Sequence, residues 1–123
     1  MCKVVPVHVG DRQIMVADIK RKYINNIVEA ASQCDLIDRV VLFGSSIQER
    51  CRESSDIDIA VFGNLTPSRA LSSRKYEQFA TQLSAFDNYS QAYDILYFKS
   101  GSTDSSPILA DIGKGEELYV RKA

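Results

Sequence analysis

An α+β (α/β) domain with a mixed β-sheet and helices packed on one side is the fold class that the sequence predicts. Three observations carry this. Short apolar runs rich in β-branched and aromatic residues recur at 39–43 (RVVLF), 56–62 (DIDIAVF) and 92–98 (AYDILYF). Longer stretches with apolar residues three and four apart lie between them. Gly, Pro, Asn and Ser punctuate the joins, and strands alternating with helices favour a layered arrangement.

In chain order, KVVPVHV and RQIMV flank Gly10-Asp11 and read as an N-terminal hairpin. Pro6 confines the first piece to an edge, because proline donates nothing to a ladder. The pair is expected to cover the edge of the sheet, and it also offers a contact surface for a dimer or a partner. Asp18 is placed to cap a helix reaching about Cys34, in which Ile19, Tyr23, Ile27 and Ala31 make one stripe that Ile24 and Val28 widen. Residues 39–43 form a nearly all-apolar strand of the kind buried on both faces. Gly44-Ser45 ends it, and a short helix is expected from about Ser46.

After the strand at 56–62, Gly63-Asn64 turns the chain. Thr66 with Pro67 opens a helix whose core stripe is Leu71, Tyr76, Phe79, Leu83 and Phe86, ending near Asp87-Asn88. The strand at 92–98 follows. SGSTDSSP (100–107) is the most loop-like segment, PILADIG (107–113) a short helix closed by Gly113, and ELYV (117–120) a final strand or docked tail.

The chain has 123 residues, near the commonest size of one domain, and neither an internal repeat nor a linker divides it. Its net charge of −1 removes any global electrostatic reason for nucleic-acid or membrane binding. No apolar run reaches the roughly 18–20 residues that span a bilayer, and the N-terminus does not read as a signal peptide. Three cysteines and one histidine are poor material for a zinc site or a disulfide framework. A cytoplasmic location with reduced thiols is the expectation, and a bound metal would take oxygen ligands, as magnesium or manganese does.

Asp56 and Asp58 sit two apart in an apolar run, so they share one face of a strand with Cβ atoms about 7 Å apart. Left alone they repel, which in a dry setting raises a pKa or opens the strand; a divalent cation removes the problem. The plain alternative, a solvent-facing strand edge, has about even weight for this pair alone. Asp94 lies in another apolar strand, where an unpaired acid is costly to bury; alone it is more often an exposed strand acid, but neighbouring strands would bring it to the same cation. Three carboxylates able to bind two Mg²⁺ ions suit phosphoryl or nucleotidyl transfer. Gly44 lets backbone approach a phosphate, Ser45 adds a hydroxyl, and Arg50 and Arg52 follow closely enough to neutralise more of a triphosphate. Singly these four more often mean a helix cap and a solvated face; their joint order is the signal.

That order, an apolar strand, Gly44-Ser45, the ten residues 46–55, then Asp56-x-Asp58, with Asp94 on a later strand, resembles the minimal nucleotidyltransferase family of the DNA polymerase beta superfamily. The likeness spans roughly residues 20–120. It implies a nucleotidyltransferase-like fold at 18–123, preceded by an extension at 1–17 with the hairpin. Mg²⁺ would be held by Asp56, Asp58 and Asp94, and ATP or another nucleoside triphosphate by Gly44 and Ser45. The implied reaction is transfer of a nucleoside monophosphate to a hydroxyl, with Asp94 also able to take the acceptor's proton. Members of this size are often antitoxins of HEPN-type toxins, silenced by adenylylation or by binding. A non-catalytic binding module, and transfer to RNA or a small molecule, are the alternatives; nucleic acid is the less favoured partner, and a homo-oligomer could supply a missing half-site. The family commonly has a basic residue after Gly-Ser and a small one a few positions on; here those places hold Ser46 and Glu49-Arg50.

Overall fold

The strand Ile37–Phe43 is apolar and buried on both sides of its pleat from Val40 onward, which only a strand covered on both faces satisfies. In the computed structural model, which describes residues 2–101 and 107–121, it is an inner strand of the main sheet. Numbered along the chain, the strands are β1 (Val4–Val9), β2 (Arg12–Ala17), β3 (Ile37–Phe43), β4 (Ile57–Gly63), β5 (Tyr93–Lys99) and β6 (Glu116–Val120). The main sheet is mixed, in the order β5-β4-β3-β6: β3 runs antiparallel to β4 and β6, and β4 runs parallel to β5. The helices are α1 (Ile24–Ser32), α2 (Pro67–Leu71), α3 (Arg74–Ala85) and α4 (Pro107–Gly113). The architecture is the expected α+β class.

Alternation along the strands divides the core. Val40 and Leu42 of β3 with Ile57, Ile59 and Val61 of β4 face α1, α3 and the hairpin, against Ile27, Ala31, Phe79 and Leu83. Val41, Phe43 and Ala60 face the other way, where Ile112 and Leu109 of α4 partly cover them. Phe62 and Phe98 stack on that second face with centroids 5.4 Å apart.

Several elements differ from expectation. The hairpin β1–β2 does not extend the main sheet but forms a sheet of its own. Its Ile14 and Val16 join the main core, so packing is continuous across residue 17. Asp18 caps no helix: a 3₁₀ turn spans Asp18–Tyr23 before α1, and the Asp18 carboxylate instead accepts from the Lys3 amide at 3.3 Å. The long helix expected from Pro67 is two helices. Ser72 Oγ donates back to the Ser68 carbonyl at 2.7 Å, and Ser73 Oγ accepts from the Lys75 amide as the N-cap of α3. Two adjacent hydroxyls offer the backbone partners that a continuous helix would not need, and the chain breaks there. Leu71 falls at this break and is 62% exposed, so it is no core residue; Phe86 lies at the rim, edge-on to Tyr23. The tail is a true strand, β6. The loop expected at 100–107 lies mostly outside the described residues. Among the described residues, no helix is long and apolar enough to cross a membrane.

Gly63 closes β4 at a point where backbone and side chain crowd in. A Cβ there would collide with the Leu36 carbonyl and the Tyr97 hydroxyl, whereas one on Gly113 meets nothing. Gly63→Ala is expected to lower unfolding stability by about 1–3 kcal/mol in urea denaturation, and Gly113→Ala to change it by no more than about 0.5 kcal/mol. Equal effects would contradict this packing.

Candidate functional site

Strand pairing decides whether the three acids meet. Across the antiparallel β3–β4 ladder Phe43 is paired with Asp58, and across the parallel β4–β5 ladder Asp58 is paired with Asp94. The end of β3 and the starts of β4 and β5 therefore lie abreast. Laterally paired residues of adjacent strands project from the same face, so Asp58 and Asp94 stand side by side, their backbones about 4.8 Å apart. Asp56 comes one residue before β4 and is exposed. Asp94 is also exposed, because β5 is the outer strand; the burial expected to make it costly is absent.

Gly44 follows Phe43 directly, at φ +73°. A Cβ on it would strike Oδ2 and Cγ of Asp58. The glycine thus has two reasons to be there: a left-handed backbone that side chains disfavour, and the space the Asp58 carboxylate fills. Gly44 to Ile47 form only a single 3₁₀ turn, shorter than the helix expected from Ser46, so no helix macrodipole stands behind the Gly-Ser pair. Ser45 is half-buried, and its hydroxyl, like that of Ser55, faces the Cys51 thiol. Burial pushes that thiol's pKa up, and the Lys20 ammonium and the two hydroxyls pull it back.

The electrostatics of Asp58 report the convergence. Burial is the first cause raising its carboxyl above the ordinary carboxylate value, followed by the charges of Asp94 and then Asp56, while Arg50 draws it back. Three acids and one arginine therefore act on one another at this end of the sheet. They do not form a closed ligand cluster: among the described residues no three Asp, Glu, His or Cys side chains are gathered to hold a cation as they stand. Unneutralised carboxylates repel, and a spread arrangement is what that repulsion favours.

Arg50 is exposed, and its Nε donates to Gln48 Oε1. Arg52 is exposed as well, and its backbone forms a turn with Ser55 through an amide–hydroxyl bond of 3.0 Å. Both line a groove of about 490 Å³ with Cys2, Asp18, Ile19, Glu49 and Cys51, and among the described residues neither forms a salt bridge. Only Arg50 is felt by Asp58. Ser46 is fully buried with its Oγ unpartnered among the described residues, so the residue after Gly-Ser faces the interior and offers nothing to a triphosphate.

Two residues passed over in the sequence stand beneath the acids. Lys20, on the 3₁₀ turn before α1, is buried, and so is Gln91. Burial lowers the Lys20 pKa, with Cys51, Asp56 and Glu53 opposing. No periodicity marks such a lysine.

Compared with known proteins, residues 25–123 match the family described as "Polymerase beta, Nucleotidyltransferase". No curated protein matches the chain.

Because Asp58 holds its proton more readily folded than unfolded, its ionisation opposes folding. Stability from this group is greatest below the ordinary value of 3.8 and declines as pH rises through the raised folded pKa. Metal-free Asp58→Asn is accordingly expected to melt at a higher temperature than the unaltered chain at pH 7, the gain shrinking as pH falls through the raised folded pKa and vanishing below about 4. Calorimetric scans across pH would show it; a lower melting temperature at pH 7 contradicts the repulsion.

Proposed function

The chain belongs to the polymerase beta nucleotidyltransferase family, whose chemistry is nucleotidyl transfer, and from that premise we propose that it is a magnesium-dependent nucleotidyltransferase. It moves a nucleoside monophosphate, AMP from ATP, to a hydroxyl on a protein partner, and serves as the antitoxin of a HEPN-type toxin. The lateral pairing of Asp58 with Asp94 against Gly44 is the observation that carries this reading.

The donor set fits a hard cation: three carboxylates with mutual repulsion to relieve, one of them raised in pKa first by its burial and then by the other two. Asp56, Asp58 and Asp94 would hold Mg²⁺, which when bound neutralises phosphate charge and acidifies the attacking hydroxyl. Gly44 and the backbone of Ser45 border the triphosphate, and Arg50 screens its outer charge, with Arg52 further along the groove. The acceptor oxygen forms a bond to the α-phosphorus as the bond from that phosphorus to the bridging oxygen breaks, and pyrophosphate leaves. Asp94, on the exposed outer strand, takes the acceptor's proton. A protein acceptor accords with a net charge of −1 and with no strongly basic stretch to follow a nucleic acid.

Buried Ser46, in place of the family's basic residue, favours a second reading, a chain that neutralises its partner by binding alone. One set of assays separates the two. With Mg²⁺ and α-labelled ATP, label is expected on a HEPN-like helical protein encoded by the neighbouring gene. Asp58→Ala should reduce the transfer at least about a thousandfold, the rate equivalent of several kcal/mol of charge stabilisation. Undiminished labelling would remove the acids from catalysis, and protection from toxicity by the inactive variant would select the binder.

A further inference from the structure

Lys20 is 1% exposed and is the one buried charged side chain among the described residues. All three of its N–H donors are used: to the Glu53 carbonyl at 3.1 Å, the Ser55 carbonyl at 2.7 Å and Gln91 Oε1 at 2.6 Å. None of these acceptors is a carboxylate, so the ammonium is held without its charge being cancelled. Gln91 continues the network, its Nε2 donating to the Ser55 carbonyl at 3.0 Å and the Ala92 carbonyl at 2.6 Å. The Ala92 carbonyl in turn accepts the Ile57 amide at 3.0 Å. The starts of β4 and β5 are thus joined through one buried cation and one buried amide. Asp56 lies between the two bonded residues Ser55 and Ile57, and Asp94 lies two residues beyond Ala92.

A buried ammonium needs a reason, since an apolar side chain of similar volume usually serves stability as well. We propose that Lys20 is a positioning residue of the acidic site, clamping segment 53–55 to Gln91 and so fixing the separation of the carboxylates at the starts of β4 and β5. Its uncancelled charge also lies within reach of Asp56 and tempers the repulsion there. This inference rests on the reading of the three acids as a cation site.

The test uses Mn²⁺ with a non-hydrolysable ATP analogue, titrated by electron paramagnetic resonance, and amide hydrogen exchange at Ile57. In Lys20→Met, at a temperature where circular dichroism shows a folded chain, Mn²⁺ binding should weaken about tenfold, the lower end of the effect of losing outer support. Exchange at Ile57 should quicken, and Lys20→Arg should recover part of both. A folded Lys20→Met chain with undiminished Mn²⁺ affinity and unchanged exchange overturns the clamp. Should Lys20→Met fail to fold, Gln91→Leu, which leaves the ammonium two acceptors, carries the test: faster exchange with weaker Mn²⁺ binding supports the clamp, and neither change overturns it. If the unaltered chain binds no Mn²⁺, the cation reading of the acids falls instead, and the clamp is judged on exchange at Ile57 alone.

Discussion

The parallel ladder between β4 and β5 sets Asp58 abreast of Asp94, and the antiparallel ladder between β3 and β4 sets Phe43, and so Gly44, beside Asp58. The convergence of the acids depends on these two registers. A slip of one residue in either would turn a carboxylate to the apolar face, where Ile57, Ile59 and Val61 are packed without contact with solvent. The packing of that face therefore enforces the register, and the register places the acids. Core and site are consequences of one alternation.

The arrangement is held against electrostatic resistance. Asp58 is pressed by its own burial and by two neighbouring carboxylates, with Arg50 the nearest relief. Such a cluster adds nothing to stability and is maintained by what lies beneath it: the apolar strands, and the network in which Lys20 and Gln91 tie the two strand starts together. Acids at the surface and a single buried ammonium below them, paired only with neutral acceptors, make a layered charge distribution. On the proposed reading, positive charge inside steadies negative charge outside without neutralising it, so the carboxylates would stay available to a cation from solvent.

The two faces of the sheet are used differently. Helices α1 and α3 and the hairpin seal one face into the main core. The other carries the acids at one end and the Phe62–Phe98 stack farther along, with α4 covering only part of it. The second face is thus partly open beside Asp58 and Asp94, which is where the proposed nucleotide site would need access.

Much of this was legible in the residues. Short apolar runs marked β3, β4 and β5 to within about two residues at each end, and the Asp-x-Asp spacing placed Asp56 and Asp58 on one face, because both are local properties of a strand. Gly44 could be singled out as a glycine ending an apolar strand before Asp-x-Asp, whereas the Asp58 carboxylate that fills the space of its missing Cβ arrives only through strand pairing. Lateral register, the exposure of Leu71, the separate hairpin sheet and the burial of Lys20 were decided only by tertiary packing. Each depends on which distant segment arrives alongside, and a chain read one residue at a time carries the propensity of a segment but not the identity of its neighbour.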